Sequence, residues 1–236
     1  MEDRLYFRQL LAGRDFARAH QVAEQMVNFV YLVGDRKAGE CLVVDPAWDV
    51  EGLVRIAEED GLKLVGALAT HYHPDHIGGD LFEIPVEGLA RLLELRGMKV
   101  HVQKEEAHGV KYMTGLGDSD LVLHEGGDRV AAGEVEVTLL HTPGHTPGSQ
   151  CFLVGNRLVS GDTLFVQGCG RVDLPGGDSE EMYRTLTQRL AALPDDTVLY
   201  PGHNYGKTPT ATMGEQRKSN YALKVPDMAS WLRLMG

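Results

Sequence analysis

The sequence predicts a mixed α/β fold, specifically a two-layered αββα sandwich in a single domain over residues 1–236. The chain is long enough, and with 43% hydrophobic residues apolar enough, to bury a substantial core. Short apolar runs alternate with amphipathic stretches, and no linker or low-complexity stretch divides the chain. Sheets covered by helices are therefore the expected architecture.

The first half of the chain shows a strand–helix order that repeats. Apolar runs predict strands at 27–34, 39–44, 61–70 and 99–103, and amphipathic periodicity predicts helices at 50–60 and 85–96. In the second of these helices, leucines at 89, 92, 93 and 95 form the apolar face.

The second half is predicted to contain mainly short strands and one further helix. The stretch 121–153 contains several short apolar runs joined by glycine-rich turns, and further strands are expected at 157–159 and 198–200. Asp178 is a suitable N-cap, with acidic residues in the turn that follows it, so a helix is expected from there to about residue 192.

Composition narrows the classes of function. The net charge of -11 argues against a nucleic-acid partner, and no apolar segment approaches the length of a membrane span. The charged N-terminus lacks the layout of a secretory signal, so a cytoplasmic protein is expected. Cys41 and Cys151 lie in apolar runs and are predicted to be core thiols, and Cys169 a structural thiol. The oligomeric state is left open.

Four candidate metal ligands follow the strand predicted at 61–70. They are His71, His73, Asp75 and His76, in the sequence His-Tyr-His-Pro-Asp-His. Residues two apart on a strand face the same side, so His71 and His73 are expected to bind one ion together. Pro74 is expected to end the strand and to leave Asp75 and His76 in a turn, facing a second ion.

Three further candidate ligands lie beside glycines, where predicted strands end. They are His145, Asp162 and His203. A carboxylate can bridge two ions with its two oxygens, so Asp162 is the expected bridge. Nitrogen and oxygen donors without cysteine permit zinc, iron or manganese, and seven ligands suffice for two divalent metal ions.

On these motifs the chain resembles the metallo-β-lactamase superfamily and, within it, glyoxalase II and the persulfide dioxygenases. The resemblance extends from about residue 28 to about residue 220. The superfamily's first motif, an aspartate that closes an early strand, is matched by Asp45. The resemblance implies that Asp45 orients a ligand histidine and does not bind metal itself.

Departures from other branches of the superfamily narrow the choice. True β-lactamases of this fold carry Arg at the position of His76 and Cys at that of Asp162, and flavodiiron relatives carry Glu at that of His73. The nucleic-acid-processing branch carries a large inserted domain, for which this chain has no room. The substrate is therefore expected to be a small molecule.

The resemblance implies a dinuclear metallo-hydrolase, a thioesterase similar to glyoxalase II, acting on a thioester or thiol conjugate. Asp75 is expected to be catalytic by orienting the attacking water, and a thiolate can leave without being protonated. Lactones are a lesser alternative. The main alternative is a persulfide dioxygenase with one Fe(II), held by His71, His145 and Asp162.

Two residues are candidates for binding the substrate. Arg171 lies in a Gly-Cys-Gly-Arg loop similar to that of both families, and Asp173 two places later favours the dioxygenases. The Arg171 guanidinium is expected either to hold a carboxylate of a thiol conjugate or to pair with Asp173. Tyr205 resembles the glyoxalase II tyrosine that contacts glutathione, and the dioxygenases share it.

Overall fold

A computed structural model describes residues 3–235 and shows two six-stranded sheets. The strands of the first half are β1 (Leu5–Leu11), β2 (Phe29–Asp35), β3 (Glu40–Val44), β4 (Lys63–Leu68), β5 (Gly79–Leu81), β6 (Ile84–Val86), β7 (Lys99–Gln103) and β8 (Leu121–His124). The first sheet has the order β1-β2-β3-β4-β7-β8, and β5 and β6 form a separate hairpin.

The second half supplies the second sheet. Its strands are β9 (Arg129–Ala132), β10 (Val135–His141), β11 (Gln150–Val154), β12 (Arg157–Gly161), β13 (Leu164–Phe165), β14 (Gly168–Cys169), β15 (Val198–Pro201) and β16 (Ala211–Thr212). The sheet order is β16-β15-β12-β11-β10-β9, with β13 and β14 as a small hairpin.

The helices are short. They are α1 (Gln21–Met26), α2 (Val50–Glu59), α3 (Pro74–Ile77), α4 (Leu89–Leu95), α5 (Ala107–Thr114), α6 (Ser179–Arg184), α7 (Met213–Ser219) and α8 (Met228–Met235). Irregular helical turns continue α6 through residue 192. Within residues 3–235, no helix is both long and apolar enough to cross a membrane.

Three apolar cores separate four layers. In β2, Phe29, Tyr31 and Val33 face the core between the two sheets, whereas Val30 and Leu32 face the core beneath α2, α4 and α5. This alternation follows from the two-residue period of a strand. A third core lies between the second sheet and α6, α7 and α8. The αββα architecture predicted from the sequence is therefore confirmed.

Most predicted bounds differ from the observed ones by one or two residues, and two elements differ in ways that have a structural cause. The strand predicted at 61–70 ends at Leu68, because beyond it the backbone N–H of Thr70 donates to the Asp45 side chain instead of to a neighbouring strand. The helix predicted at 85–96 begins only at Leu89, because Ile84–Val86 pairs with Gly79–Leu81 in the hairpin.

The candidate ligands gather at one edge of the sandwich because of strand direction. β3 and β4 are parallel neighbours in the first sheet, and β12 and β15 are parallel neighbours in the second. The segments that leave their carboxyl ends carry Asp45, the His71–His76 stretch, Asp162 and His203. Loops from both sheets thus converge on a single region.

Candidate metal centre

His71 and His73 lie in a loop, not on a strand. Because β4 ends at Leu68, the expectation that a shared strand face brings these residues together is wrong. The loop nevertheless places His71 Nε2 3.0 Å from His73 Nδ1. Their convergence therefore depends on the loop conformation.

Asp75 and His76 lie in a short helix. Pro74 occupies the first position of α3, with His73 as its N-cap, so this proline begins a helix instead of ending a strand. Proline is well suited to the first helical position, where its missing N–H would have no partner. The expectation of a simple turn at Asp75 and His76 is corrected accordingly.

The seven side chains form two groups around one carboxylate. Ligand atoms of His71, His73 and His145 lie within 4.8 Å of one another, and so do those of Asp75, His76 and His203. His71, His76 and Asp162 form a third such set, which joins the two groups. The Asp162 carboxylate lies between the groups. Its Oδ1 is 3.2 Å from His76 Nε2, and its Oδ2 is 3.4 Å from His203 Nε2 and 3.7 Å from His145 Nε2.

Hydrogen bonds on the outer side of the site orient the imidazoles. His145 Nδ1 and His203 Nδ1 each lie 2.7 Å from a backbone carbonyl, that of Arg171 and that of Met26 respectively. His71 Nδ1 lies 2.9 Å from the Thr70 hydroxyl. Since these Nδ1 atoms donate outward, each Nε2 points into the site, where it can bind a metal ion once it carries no proton.

Asp45 links both groups. Its Oδ2 accepts hydrogen bonds from Thr70 Oγ1 at 2.7 Å and from His76 Nδ1 at 3.0 Å. The Thr70 hydroxyl in turn accepts from His71 Nδ1. One buried carboxylate, outside both groups of ligand atoms, therefore fixes the orientation of a histidine in each group.

The electrostatics of the site favour a bound cation. Burial and the neighbouring imidazoles hold the pKa of His71 well below its usual range and lower that of His73 to about 4. Burial also opposes charge on His76 and His203, but the Asp75 and Asp162 carboxylates outweigh it for both. They raise the pKa of His76 well above its usual range and that of His203 to about 9.

The donor set fits divalent metal. Asp162 Oδ1 is buried and accepts no well-aligned hydrogen bond within residues 3–235, although His76 Nε2 lies 3.2 Å away. The ring nitrogens of neighbouring histidines approach to 3.0 Å in the first group and 3.2 Å in the second. Lone pairs at these distances repel unless a proton or a metal cation lies between them. Imidazole and carboxylate donors suit zinc, iron and manganese.

Two buried residues that sequence analysis did not single out contact this centre. Asn28 Nδ2 donates to Asp75 Oδ2 at 3.0 Å. Glu106 accepts the backbone N–H of Tyr72, between two of the histidines, at 2.7 Å. No local pattern marks either residue, since each contacts a segment distant in the chain.

The two candidate substrate residues are both exposed but have different contacts. The Arg171 guanidinium makes two hydrogen bonds to Asp173, at 2.9 and 2.8 Å, and both side chains are largely exposed. Tyr205 stacks on the His203 ring with 4.6 Å between ring centroids. The thiols of Cys41, Cys151 and Cys169 are buried and unpaired, as predicted.

Comparison with known proteins supports the resemblance. The sequence profile of the metallo-β-lactamase superfamily matches residues 24–203. A hydroxyacylglutathione hydrolase from Rhodospirillum rubrum is 37% identical over 188 residues, which are 79% of this chain and 66% of the relative. The human persulfide dioxygenase ETHE1 is 31% identical over 213 residues, which are 89% of this chain and 76% of the relative.

A solved structure shows similarity over nearly the whole chain. The crystal structure of ETHE1 from Myxococcus xanthus superposes with a TM-score of 0.79 at 27% sequence identity. The match covers 98% of this chain and 89% of the other. Similarity at this level extends to both sheets and to the loops between them.

Proposed function

Since the chain belongs to the metallo-β-lactamase superfamily, we propose that it is a metal-dependent hydrolase that holds two divalent ions and cleaves a small thioester, similar in activity to glyoxalase II. Zinc is the favoured metal, with iron or manganese as alternatives. The three unpaired cysteines fit a reducing compartment, so the cytoplasm is the proposed location.

The observation that carries this proposal is the division of the ligands into two groups. His71, His73 and His145 form one group and Asp75, His76 and His203 the other, with Asp162 between them. Three side-chain donors are enough to hold one catalytic ion, so each group can hold an ion of its own. The presence of three converging donors on each side therefore supports two ions.

Bound ions would supply Lewis-acid activation of a water and of the substrate carbonyl. The chain's own contribution centres on Asp75. Burial alone would raise the pKa of Asp75, but His76 and His203 lower it below its usual range, so the carboxylate is ionised and can accept a hydrogen bond from a water. Asn28 occupies its Oδ2, which leaves Oδ1 to orient that water.

The proposal of a thioester depends on the leaving group. None of the seven ligand side chains is free to act as a strong general acid, whereas a thiolate leaves without a proton. Tyr205, with 59% of its surface exposed, lies against His203, where it could contact the substrate. Arg171 is already paired with Asp173, so a role in binding a substrate carboxylate requires that ion pair to open.

The test begins with metal content. The protein is purified without chelators from cells supplied with iron and zinc, and metal per chain is measured together with hydrolysis of a hydroxyacylglutathione. We expect two ions per chain and release of free thiol. One iron per chain with no thiol release would overturn the proposal.

Variants separate the two reaction classes. Asp162→Ala should abolish both hydrolysis and any dioxygenase activity, whereas His76→Ala should abolish hydrolysis but only impair a single-iron reaction. His108→Ala is the matched control, because this histidine is exposed on α5. Retained thioesterase turnover in His76→Ala would count against the two-ion mechanism.

A persulfide dioxygenase is the second candidate. The human and Myxococcus xanthus relatives favour it, as does Asp173 paired with Arg171. The facial set His71, His145 and Asp162 would hold one Fe(II). Oxygen consumption with glutathione persulfide, without thioester hydrolysis, would assign the protein to this class. Lactone hydrolysis is a lesser alternative within the first class.

A further inference from the structure

Glu106 is a buried carboxylate outside the candidate metal centre. It ends the short helical turn Lys104–Glu106 after β7, and only 1% of its surface is exposed. Its Oε1 accepts hydrogen bonds from the Tyr72 backbone N–H at 2.7 Å and from Thr146 Oγ1 at 2.8 Å, and its Oε2 accepts from the Gly148 backbone N–H at 2.7 Å. Three donors thus converge on one buried carboxylate.

These three donors belong to the loops that carry the first group of ligands. Tyr72 lies between His71 and His73, and Thr146 directly follows His145. One loop comes from the first sheet and the other from the second. Glu106 therefore joins the two loops at residues that are directly next to these three histidines.

Glu106 packs so closely against Gly148 that no side chain fits at residue 148. A Cβ atom at this glycine would lie 2.4 Å from the Glu106 backbone nitrogen and 2.6 Å from Glu106 Oε2. Contacts this short do not occur between real Cβ atoms and their neighbours. A glycine is therefore required here for the carboxylate to reach the loop backbone.

The second group has other supports. Asn28 donates to Asp75, Asp45 accepts from His76, and the Met26 carbonyl accepts from His203. None of the hydrogen bonds of Glu106 involves this group or a residue next to it. The outer hydrogen bonds that orient the two groups therefore come from different residues. Asp45 is the exception, because it supports a histidine in each group.

We propose that Glu106 is a positioning residue for the His71, His73 and His145 group, and that loss of its carboxylate selectively weakens the binding of the ion held there. The inference extends the two-ion proposal above. Outer contacts of metal ligands commonly change metal affinity by about 10–100-fold when they are removed. Because Glu106 acts through the backbone of two loops, we expect an effect in this range.

Glu106→Gln is the informative variant because it keeps the volume of the side chain. A carboxamide has one acceptor oxygen, so its NH₂ must face either the Gly148 N–H or the Tyr72 N–H, and at least one backbone hydrogen bond is lost. Glu105→Gln is the matched control, since it removes the same charge from an exposed neighbour on the same turn.

The experiment titrates metal-stripped protein with Zn²⁺ against a competing chelating dye. His145→Ala identifies the binding step of the first group and His203→Ala that of the second. We expect Glu106→Gln to weaken the step that His145→Ala removes by about 10–100-fold, with the other step unchanged. Glu105→Gln should titrate as wild type.

Thr146→Val gives a graded second variant, because it removes one of the three hydrogen bonds with little change of shape. It should weaken the same step by a smaller factor. The inference is overturned if Glu106→Gln titrates as wild type, or if both steps weaken equally, which would indicate general structural support.

The outcome is separable from that of the proposed function. If wild-type protein hydrolyses no thioester but Glu106→Gln still weakens the step marked by His145, the positioning role stands and the hydrolase proposal fails. If wild type takes two ions and hydrolyses thioesters while Glu106→Gln leaves both steps unchanged, the hydrolase proposal stands and the positioning role fails.

Discussion

Asn28 Nδ2 donates a hydrogen bond to Asp75 Oδ2 over 3.0 Å, although the two residues are 47 positions apart in the chain. The orientation of the amide is set from the other side, where Asn28 Oδ1 accepts from Trp48 Nε1 at 3.1 Å. All three side chains are buried. The indole N–H therefore holds the amide in the orientation in which its nitrogen, and not its oxygen, faces the Asp75 carboxylate.

We expect Asn28→Ala to lower turnover and to weaken metal binding at the Asp75, His76 and His203 group by about 10–100-fold. The variant removes the donor that orients Asp75 and leaves the Trp48 N–H without a partner. The same zinc titration, together with thiol-release kinetics, checks this. Asn156→Ala, at an exposed turn, is the control; equal behaviour of the two variants would refute the role of Asn28.

Asp45→Asn should weaken both zinc-binding steps, in contrast to Asn28 and Glu106, which we expect to act on one each. Asp45 Oδ1 accepts from the Thr70 backbone N–H, and Oδ2 accepts from Thr70 Oγ1 and His76 Nδ1, so an amide NH₂ at either position loses at least one of these hydrogen bonds.

Asn is the suitable replacement at this position. Asp45 has φ +54°, a left-handed conformation that Asn tolerates better than Ala. Backbone strain therefore adds little to the result for Asp45→Asn. A selective effect on a single step would contradict the shared role of Asp45.

Removal of metal by a chelator should lower the melting temperature. A metal ion whose free concentration is about a thousand-fold above its Kd stabilises the folded state by about 4 kcal/mol. For a chain of this size that corresponds to a shift on the order of 10 °C. Differential scanning fluorimetry with and without chelator measures it, and re-addition of Zn²⁺ should restore the original value. Asp162→Ala should show a smaller chelator-induced shift, and an equal one would count against Asp162 as a ligand.

Acid should destabilise the protein partly through His101. This ring packs on β7, with its Nδ1 2.9 Å from His124 Nε2, and burial together with His124 lowers its pKa to about 4. The folded state then binds the proton less tightly than the unfolded chain, whose histidines titrate near 6.5. The contribution to the free energy of unfolding is complete above about pH 6.5 and is lost as the pH falls towards 4.

The loss should be on the order of 1–2 kcal/mol, allowing for solvent around this partly exposed ring. His101→Gln should flatten the dependence of the unfolding free energy on pH in this range. Urea unfolding of metal-free protein from pH 4 to pH 7 measures this dependence. His108→Gln, on an exposed site, should leave the profile as in wild type. Parallel profiles for wild type and His101→Gln would exclude His101 as the source.

Local sequence patterns predicted the helix and sheet layers, because the hydrophobic period and the turn residues are properties of neighbouring positions in the chain. The strand at Lys99–Gln103 matches its predicted bounds, and α2 matches to within one residue. The spacing of His71, His73, Asp75 and His76 also marked a metal site, although the strand invoked to explain it ends too early.

Contacts between distant segments could not be predicted in this way. Asn28 precedes β2 as an ordinary polar residue, and Glu106 resembles any acidic residue near a helix start. Their roles depend on partners 47 and 42 positions away, at Asp75 and Gly148. A single sequence carries no signal for such pairs, because it is the packing of the two sheets that brings them together.

The division of the ligands between the two sheets has a consequence during synthesis. A nascent chain that has emerged only as far as α5 displays His71, His73, Asp75 and His76 without the partners that complete either group. The first group is completed by His145, which follows β10, and the second by His203, which follows β15. Neither group is complete until segments of the second sheet have been synthesised, so the full donor set exists only in a chain that can already form both sheets.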